Sequence, residues 1–320
     1  MDPKNYLKSF FTEYWKYLAV STACKLGIFE HLHDFRGVRD LARELCLDVS
    51  SLEILLNALC SIGFLDRDGQ LYKINEFSSY LLEDHPESLK YACLLWGEEH
   101  LTAWQNLELS IRTGRSTFEE IYKTNFFEYI LIYSDKFQIY HKAMCEYARD
   151  DYKRLPEVID FSQYKTVMDV GGGYGVALRY IKEKYPQVKC ILFDLPEVIE
   201  NAKFDDIEKI GGSFFDAVPN GADLILLSRV LHDWDDGGAS LILRNCYQAL
   251  PENGNLLIIE SCTDHVKQSL DLLSLNMLVI CGSFERSSTH YIQLAQNSGF
   301  VFENKKSLNE LQTMLIFRKL

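Results

Sequence analysis

A short apolar run at 167–170 is followed at once by four glycines between 171 and 175. Residues 176–185 then show the apolar spacing of an amphipathic helix. Strand, glycine turn and helix in this order are how an α/β nucleotide-binding domain begins. Glycine lets the backbone turn sharply and approach a ligand, and the first turn of the helix offers N–H groups to that ligand. The stretch therefore predicts a ligand-binding turn.

The glycine spacing narrows the class of ligand. The pattern is G-x-G-x-G at 171, 173 and 175, and Val176 occupies the third glycine position of the dinucleotide pattern. No Gly-Lys-Ser/Thr follows, which excludes a P-loop. Asp194 ends the next apolar run, about 20 residues past the glycines, where an acid binds ribose hydroxyls. The pattern favours a nucleoside-type ligand over a structural turn with a helix-capping aspartate.

The composition limits domain number and partners. A chain of 320 residues that is 47% hydrophobic has the length of about two domains. A formal net charge of −13 argues against nucleic acid as a partner. No run of 18 apolar residues occurs, so we expect no membrane span. The nine cysteines contain no C-x-x-C pair and the chain start shows no secretory signal, which favours a cytoplasmic location.

The N-terminal part has the pattern of a winged helix. Helices are predicted at 14–31 and 38–45, and a third, capped by Ser50 or Ser51, runs to Gly63. Residues 64–72 follow as a hairpin whose turn is formed by Asp68 and Gly69. Helices followed by such a hairpin predict a winged helix.

The winged helix is not predicted to bind DNA. Its third helix contains no Lys or Arg and carries Glu53, whereas DNA affinity depends largely on basic residues. The long apolar helices predict a dimerisation and substrate-lid domain, and hence a homodimer. The non-enzyme alternative is a winged-helix regulator that senses a nucleoside ligand.

Two further helices are predicted at 91–111 and 126–149, and both are rich in aromatic residues. Tyr140 and Met144 share one face of the second helix. Such residues either form core or wall a flat aromatic substrate, and the sequence leaves both open. The expected domains are 1–152, helical and winged-helix-like, and 153–320.

The C-terminal part alternates apolar runs with helical segments. This alternation predicts a parallel sheet with helices on both faces, closed by an antiparallel strand pair at one edge. The parallel strands are expected at 166–170, 189–193, 224–228 and 256–260, and the edge pair at 299–302 and 312–317.

His232 lies just beyond the third of these strands. Open α/β sheets bind ligands at the carboxyl ends of their strands, and imidazole accepts protons near neutral pH. His232 is therefore a candidate general base. A metal site formed with Asp233, Asp235 and Asp236 is an alternative, but Asp235 or Asp236 is also placed to cap the next helix.

Seven short motifs stand in order along the chain. They are KLGIF at 25–29, DVGGGYG at 169–175, FDLPEV at 193–198, GGSFF at 211–215 with VP at 218–219, LHDWDD at 231–236, NCYQALP at 245–251 and GSFERS at 282–287. With these motifs the chain resembles the S-adenosylmethionine-dependent small-molecule O-methyltransferases of the plant caffeate/flavonoid, hydroxyindole and bacterial antibiotic/phenazine type. The resemblance covers nearly the whole chain.

The resemblance implies a function and a site. The function is methyl transfer from S-adenosylmethionine to a hydroxyl of a small, aromatic metabolite, with S-adenosylhomocysteine as product and no metal. The implied fold is a Rossmann-like class I methyltransferase domain preceded by a winged-helix dimerisation domain. Nitrogen methylation, or a non-methylating relative on the same fold (hydroxylase, decarboxylase or pericyclase), stays an alternative.

The resemblance also implies residue roles. His232 is the general base, and Glu260 and Glu285 flank its imidazole. The cofactor-binding residues are Asp169, Gly171, Gly173, Asp194, Leu195, Ser213, Phe214 and Ser228. The substrate-pocket residues are Phe127, Tyr140, Met144, Trp234 and Met277. Ser213 departs from the family pattern, which usually has an aspartate against adenine.

Overall fold

The computed structural model describes residues 2–264 and 269–320. Its contacts group the chain into two compact units. The first is Met1–Leu101 with Gln138–Glu146, and the second is Thr102–Phe137 with Tyr147–Leu320. Each unit is therefore formed by two separate segments of the chain. The domain division at 152/153 stays a prediction.

The first unit contains a small antiparallel sheet surrounded by helices. Its strand order is β1-β3-β2, and two helices between β1 and β2 complete the winged-helix arrangement. The elements up to the end of this part of the chain are α1 (Pro3–Phe10), α2 (Glu13–Lys25), β1 (Arg36–Gly37), α3 (Val38–Leu45), α4 (Val49–Ser61), β2 (Leu65–Asp68), β3 (Leu71–Ile74), α5 (Glu76–Ser79), α6 (Lys90–Leu95) and α7 (Glu99–Gln105).

The predicted boundaries of the first helices need correction. Helix α2 ends at Lys25 rather than at 31, because Gly27 takes a φ of +66° and turns the chain out of the helix. The cap of α4 is Asp48, not Ser50 or Ser51. Its Oδ1 accepts the Ser51 N–H at 2.8 Å, so the helix starts two to three residues earlier than predicted. The hairpin loop is Gly69 and Gln70, and Asp68 belongs to β2.

The two long helices predicted between 91 and 149 are divided into shorter ones. The chain turns at Gly97, where a Cβ would lie 3.2 Å from the Tyr17 hydroxyl of α2, so a larger residue in this turn would crowd α2. The second helix is interrupted at Tyr133, whose ψ of 99° is extended rather than helical. The further helices are α8 (Leu107–Thr113), α9 (Thr117–Tyr122), α10 (Phe126–Ile132), α11 (Ser134–Tyr152) and α12 (Leu155–Val158).

The second unit is built on a seven-stranded sheet of order β6-β5-β4-β7-β8-β10-β9. The first five strands are parallel, and β10 and β9 are antiparallel at one edge. The elements are β4 (Thr166–Val170), α13 (Val176–Lys184), β5 (Lys189–Asp194), α14 (Pro196–Asn201), β6 (Glu208–Gly211), β7 (Leu224–Ser228), α15 (Asp236–Ala249), β8 (Asn255–Ser261), α16 (Ser269–Cys281), α17 (Ser288–Asn297), β9 (Phe300–Ser307) and β10 (Gln312–Lys319).

Both faces of this sheet are buried, which confirms the predicted fold class. Met168 and Ile225 belong to the core on one face, and Val167 and Leu226 belong to the core on the other. Strands that are covered on both sides read as continuous apolar runs. Strand β6 was not predicted from the sequence, because it is a short edge strand whose residues are mostly exposed and so show no apolar run.

The predicted absence of a membrane span and the predicted cytoplasmic location concern the helices and the cysteines. No helix in the described parts of the chain is both long and apolar enough to cross a bilayer. All nine cysteines are free thiols, and four of them are buried. The cytoplasmic location stays a prediction.

Candidate active site

The glycine turn follows β4 and is closely packed on one side. Gly171 and Gly173 have φ values of +72° and +58°, which side-chain-bearing residues rarely adopt. A Cβ on Gly171 would lie 2.9 Å from Val230 and 3.3 Å from the Phe214 ring. Around Gly173 nothing lies within 4 Å of such a Cβ, so the turn is open there. The turn is thus packed on the protein side at 171 and accessible at 173.

Asp194 joins this turn from the end of β5, as the sequence predicts for the ligand-binding acid. Its Oδ2 accepts the Gly173 N–H at 2.7 Å and its Oδ1 accepts the Leu195 N–H at 2.7 Å. A carboxylate has about four acceptor sites, so both oxygens keep capacity for further donors. Burial raises the pKa of Asp194 to about 6.

A second acid, Asp169, lies deeper beneath the turn. It is 2% exposed, and its Oδ1 has no hydrogen-bond partner among the described residues. Burial and the neighbouring Asp194 carboxylate raise the pKa of Asp169 to about 7. A Cβ on Gly172 would lie 2.6 Å from the Asp169 carboxyl group, so glycine is needed there as well. An unsatisfied buried acid beside Asp194 fits a ligand that carries hydrogen-bond donors or positive charge.

The remaining predicted cofactor residues lie at the ends of neighbouring strands. Ser213 follows β6, and its hydroxyl oxygen accepts the Phe215 N–H at 3.2 Å. Ser228 is the last residue of β7 and is buried. The buried Asn245, to which the sequence reasoning gave no role, donates its amide to the carbonyl oxygens of Phe214 and Phe215 at 2.8 and 3.1 Å. Asn245 thereby holds the loop that places Phe214 against the glycine turn.

His232 stands in a single 3-10 turn that follows β7. It is 5% exposed, and its Nδ1 lies 2.8 Å from Glu285 Oε1. A proton on Nδ1 is donated to this carboxylate, which leaves Nε2 as the atom that accepts a proton. The resemblance predicted these two residues in one site, and the structure brings them into contact although they are 53 positions apart.

Glu260 also reaches His232, but through a different set of contacts. Its Oε1 accepts the backbone N–H groups of Val230, Leu231 and His232 at 3.1, 2.9 and 3.3 Å. Its Oε2 lies 3.8 Å from Nδ1 of the ring and has no hydrogen-bond partner among the described residues. The two glutamates therefore differ: Glu285 bonds to the imidazole, and Glu260 mainly holds the backbone that carries it.

The charges around His232 are dominated by carboxylates. Burial alone lowers the pKa of His232, but Glu260, Glu285 and Asp233 outweigh burial and raise it to about 10. Burial raises the pKa of Glu260 to about 7 and that of Asp233 to about 6. The imidazole is thus stabilised in its protonated form, because a positive charge is favourable among these acids.

The acids after His232 have partners that account for them without a metal ion. Asp235 caps α15 by accepting the Gly238 N–H at 2.8 Å. Asp236 pairs with Arg286 and His290. Only Asp233 faces the imidazole, with its Oδ1 3.6 Å from Nε2. In the described part of the chain, the side chains that come close enough to share a metal ion are His232, Glu260 and Glu285, which are already joined by the contacts above. The absence of a metal stays a prediction.

Aromatic residues lie beside the His232 turn. The rings of Phe127 and Trp234 stack with centroids 5.4 Å apart, and Trp234 also packs edge-on against Phe215 at 4.6 Å. Met277 is buried on α16. Tyr140 and Met144 are half-buried on the stretch of α11 that belongs to the first unit. The predicted substrate pocket stays a prediction for all of these residues.

Two family models match the chain. Residues 104–301 match the O-methyltransferase domain family, and residues 9–84 match the O-methyltransferase dimerisation domain. The chain is 32% identical over 304 residues to phenazine O-methyltransferase PhzM of Lysobacter antibioticus, covering 91% of this chain and 89% of that protein. It is 30% identical over 308 residues to anthranilate N-methyltransferase of Ruta graveolens, with coverage of 88% and 84%.

A solved structure agrees over the full length. Human N-acetylserotonin methyltransferase in complex with SAM superimposes with a TM-score of 0.90 at 29% identity and covers 100% of this chain and 98% of that one. The dimerisation-domain match supports a homodimer. The chain belongs to the family of S-adenosylmethionine-dependent small-molecule O-methyltransferases.

Proposed function

We propose that the protein transfers a methyl group to a hydroxyl of a small aromatic metabolite, with His232 as general base. One observation carries the proposal. The His232 ring is bonded at Nδ1 to Glu285, and this contact orients Nε2 as the proton acceptor. A carboxylate that fixes the tautomer and stabilises the imidazolium supports the same task in other histidine-centred sites.

The methyl donor is S-adenosylmethionine, which supplies a methyl group on a positively charged sulfur that is a good leaving group. The glycine turn, the buried Asp169 and the partly buried Asp194 fit such a cationic nucleoside. In this proposal Gly171 and Gly173 lie beside its methionine part, Asp194 binds the ribose hydroxyls and Phe214 lies against the adenine. Asp169, Leu195, Ser213 and Ser228 complete the site. Because Ser213 is neutral, we infer that it contributes less to adenine binding than an aspartate does.

In this proposal the protein orients the acceptor hydroxyl toward the methyl group and removes the proton of that hydroxyl. Orientation of two reactants can supply roughly 7–11 kcal/mol of a barrier. General-base assistance adds about 10²–10⁴-fold. A phenol has a pKa of about 10. The carboxylates raise the pKa of His232 to about 10, so a proton transfer from phenol to Nε2 of the neutral imidazole is nearly balanced in free energy. The neutral imidazole is the minor form at pH 7 and becomes more abundant as the pH rises. The O–H bond breaks and the proton is held at Nε2, while Glu285 keeps the imidazolium in place.

The acceptor is proposed to be flat and aromatic. Support comes from the Phe127–Trp234 stack beside the His232 turn. Met277 is assigned to the same pocket. A nitrogen acceptor is the second candidate, because one relative is an anthranilate N-methyltransferase.

A homodimer is part of the proposal. Phe10 of α1, Phe11 directly after it and Trp15 of α2 are exposed, and clustered exposed aromatic side chains are typical of protein interfaces. We assign this surface to the contact with a second copy of the chain.

The experiment that tests the function uses matched acceptors. The protein is incubated with S-adenosylmethionine and either salicylate or anthranilate, which carry a hydroxyl or an amine at the same ring position, and then with catechols and phenazine-type phenols. We expect a gain of one methyl group in mass on hydroxylated acceptors, and unchanged activity in excess EDTA. Products formed only from amines would establish the second candidate. Loss of activity in EDTA, restored by a metal, would overturn the metal-free mechanism.

The pH dependence provides a further prediction. The proton-accepting form of His232 grows as pH rises toward its raised pKa of about 10, so kcat/KM should keep rising between pH 7 and 10. A histidine with an ordinary pKa would reach a plateau above about pH 7. The profile is measured with two phenols of different acidity, because a limb that belongs to the acceptor moves with it. A plateau at pH 7.5 with both phenols would contradict the raised pKa.

A further inference from the structure

Arg286 is the largest side chain that the second unit buries completely, at 1% exposure. Its guanidinium donates in three directions. Nη1 donates to the carbonyl oxygen of Leu231 at 3.1 Å, Nη2 to that of Trp234 at 2.7 Å, and Nε to Asp236 Oδ1 at 2.9 Å. The two carbonyl groups stand on either side of His232. The guanidinium therefore bridges both ends of the turn that carries the imidazole.

The neighbours of Arg286 in the chain act on the same turn. The Ser283 hydroxyl donates to the carbonyl oxygen of His232, and the Glu285 carboxylate contacts the ring itself. Glu260 holds the turn from the other side by accepting its N–H groups. The His232 turn is thus held by carbonyl contacts from one segment and by N–H contacts from another, so its backbone has little freedom to shift.

The ion pair with Asp236 does not account for the burial of Arg286. The Asp236 side chain is 50% exposed, and a pair with one solvated partner contributes little. Removing a guanidinium from water is costly unless its other donors are satisfied. Here each of the two other nitrogens, Nη1 and Nη2, donates to a carbonyl oxygen, and both carbonyl groups lie on the His232 turn. The main hydrogen-bond partners of Arg286 are thus backbone carbonyl groups on either side of His232.

We propose that Arg286 is a positioning residue for methyl transfer, which fixes the carbonyl groups of Leu231 and Trp234 and so holds the imidazole of His232 at the distance that the reaction needs. The proposal rests on the role of His232 given under the proposed function. Displacement by about 1 Å can cost about 10²-fold in rate. We expect R286Q to lower kcat by about 10- to 100-fold, with the donor KM and S-adenosylhomocysteine affinity little changed.

The test compares R286Q and R286K with two other variants. R286K keeps the charge but cannot reach all three acceptors, so it should recover only part of kcat. D236N removes the ion pair and keeps the carbonyl contacts, and should lose less than R286Q. R318Q removes a partly exposed ion pair between Arg318 of β10 and Glu303 of β9, and should behave as the parent protein. Thermal unfolding and calorimetry with S-adenosylhomocysteine are run on all four.

The outcomes separate a positioning role from a structural one. A structural role predicts that R286Q and R286K lose folded protein and ligand affinity together, and that kcat per folded molecule is unchanged. A positioning role predicts the loss in kcat at full ligand affinity. In the H232A background R286Q should cause no further loss, because both changes act through the same base. If D236N loses as much kcat as R286Q, the ion pair rather than the carbonyl contacts is responsible, and the proposal is wrong.

The same set distinguishes this proposal from the proposed function. If H232A retains normal turnover, the assignment of the base fails, whatever Arg286 does. If H232A is inactive and R286Q has normal kcat, only the positioning role of Arg286 fails.

Discussion

His232→Ala should lower kcat by about 10²–10⁴-fold while S-adenosylhomocysteine binds with unchanged affinity. Glu285 is hydrogen-bonded to Nδ1 of the His232 imidazole. This bond leaves Nε2 of the same ring as the proposed acceptor of the phenol proton. Removal of the imidazole leaves the hydrogen bonds of Asp194 to the Gly173 and Leu195 N–H groups in place, because the histidine takes no part in them. Single-turnover rates and calorimetry measure the two quantities separately.

The alanine variant also removes a positive charge from among buried acids. Breaking a buried pair can cost about 3–5 kcal/mol of stability. H232Q, which keeps a hydrogen-bond donor near Glu285, serves as the control for misfolding, and both variants are checked by thermal unfolding. Normal turnover in a folded H232A protein would show that another group removes the proton, or that the acceptor arrives already ionised.

Asp194→Ala should weaken donor binding by about 10²-fold or more and leave the single-turnover rate at saturating donor much less affected. A hydrogen bond to a charged group contributes about 1.5–3 kcal/mol, and a ribose offers two hydroxyl donors. The variant is thus the reverse of H232A, which retains binding and loses the reaction. Calorimetry with S-adenosylhomocysteine measures the affinity, and rapid quench at high donor concentration measures the rate.

Two variants sharpen the Asp194 result. D194N keeps one acceptor oxygen and should lose less affinity than D194A. D205A removes an exposed acid from the same part of the chain and should bind as the parent protein. Because Asp194 also accepts the Gly173 and Leu195 N–H groups, thermal unfolding must show that the turn survives. Affinity within threefold of the parent in a folded D194A protein would contradict the ribose assignment.

Much of the site could be predicted because its parts are coded locally. Glycines at 171 and 173 adopt the left-handed conformation that their type allows, and the apolar runs at β4, β5, β7 and β8 became neighbouring strands. Parallel strands align their carboxyl ends, so Asp194 and His232 had to come to one edge of the sheet. The general position of the site therefore follows from strand order and chain direction.

Other features could not be predicted from local patterns. Strand β6 is too short and too exposed to show an apolar signature. The helix break at Tyr133 has no glycine or proline to mark it. Residues 138–146 group with the first unit although they follow a segment of the second, which is a matter of long-range packing. Asn245 and Arg286 each lie in one of the seven motifs, and their polar side chains are the only sign of a supporting role in the sequence.

The sequence alone determined the fold class and the glycine turn with its acid, because backbone preference and apolar periodicity act over a few residues. The roles predicted for Glu260 and Glu285 came from the resemblance to the methyltransferase family. Only the tertiary structure decided which contacts Glu260 and Glu285 each make with the His232 turn. Glu260 accepts the N–H groups of a turn 28 to 30 residues earlier, whereas Glu285 reaches the imidazole 53 residues away. Such contacts depend on which side chains the folded sheet and its loops bring within hydrogen-bond distance, and no local pattern encodes that distance.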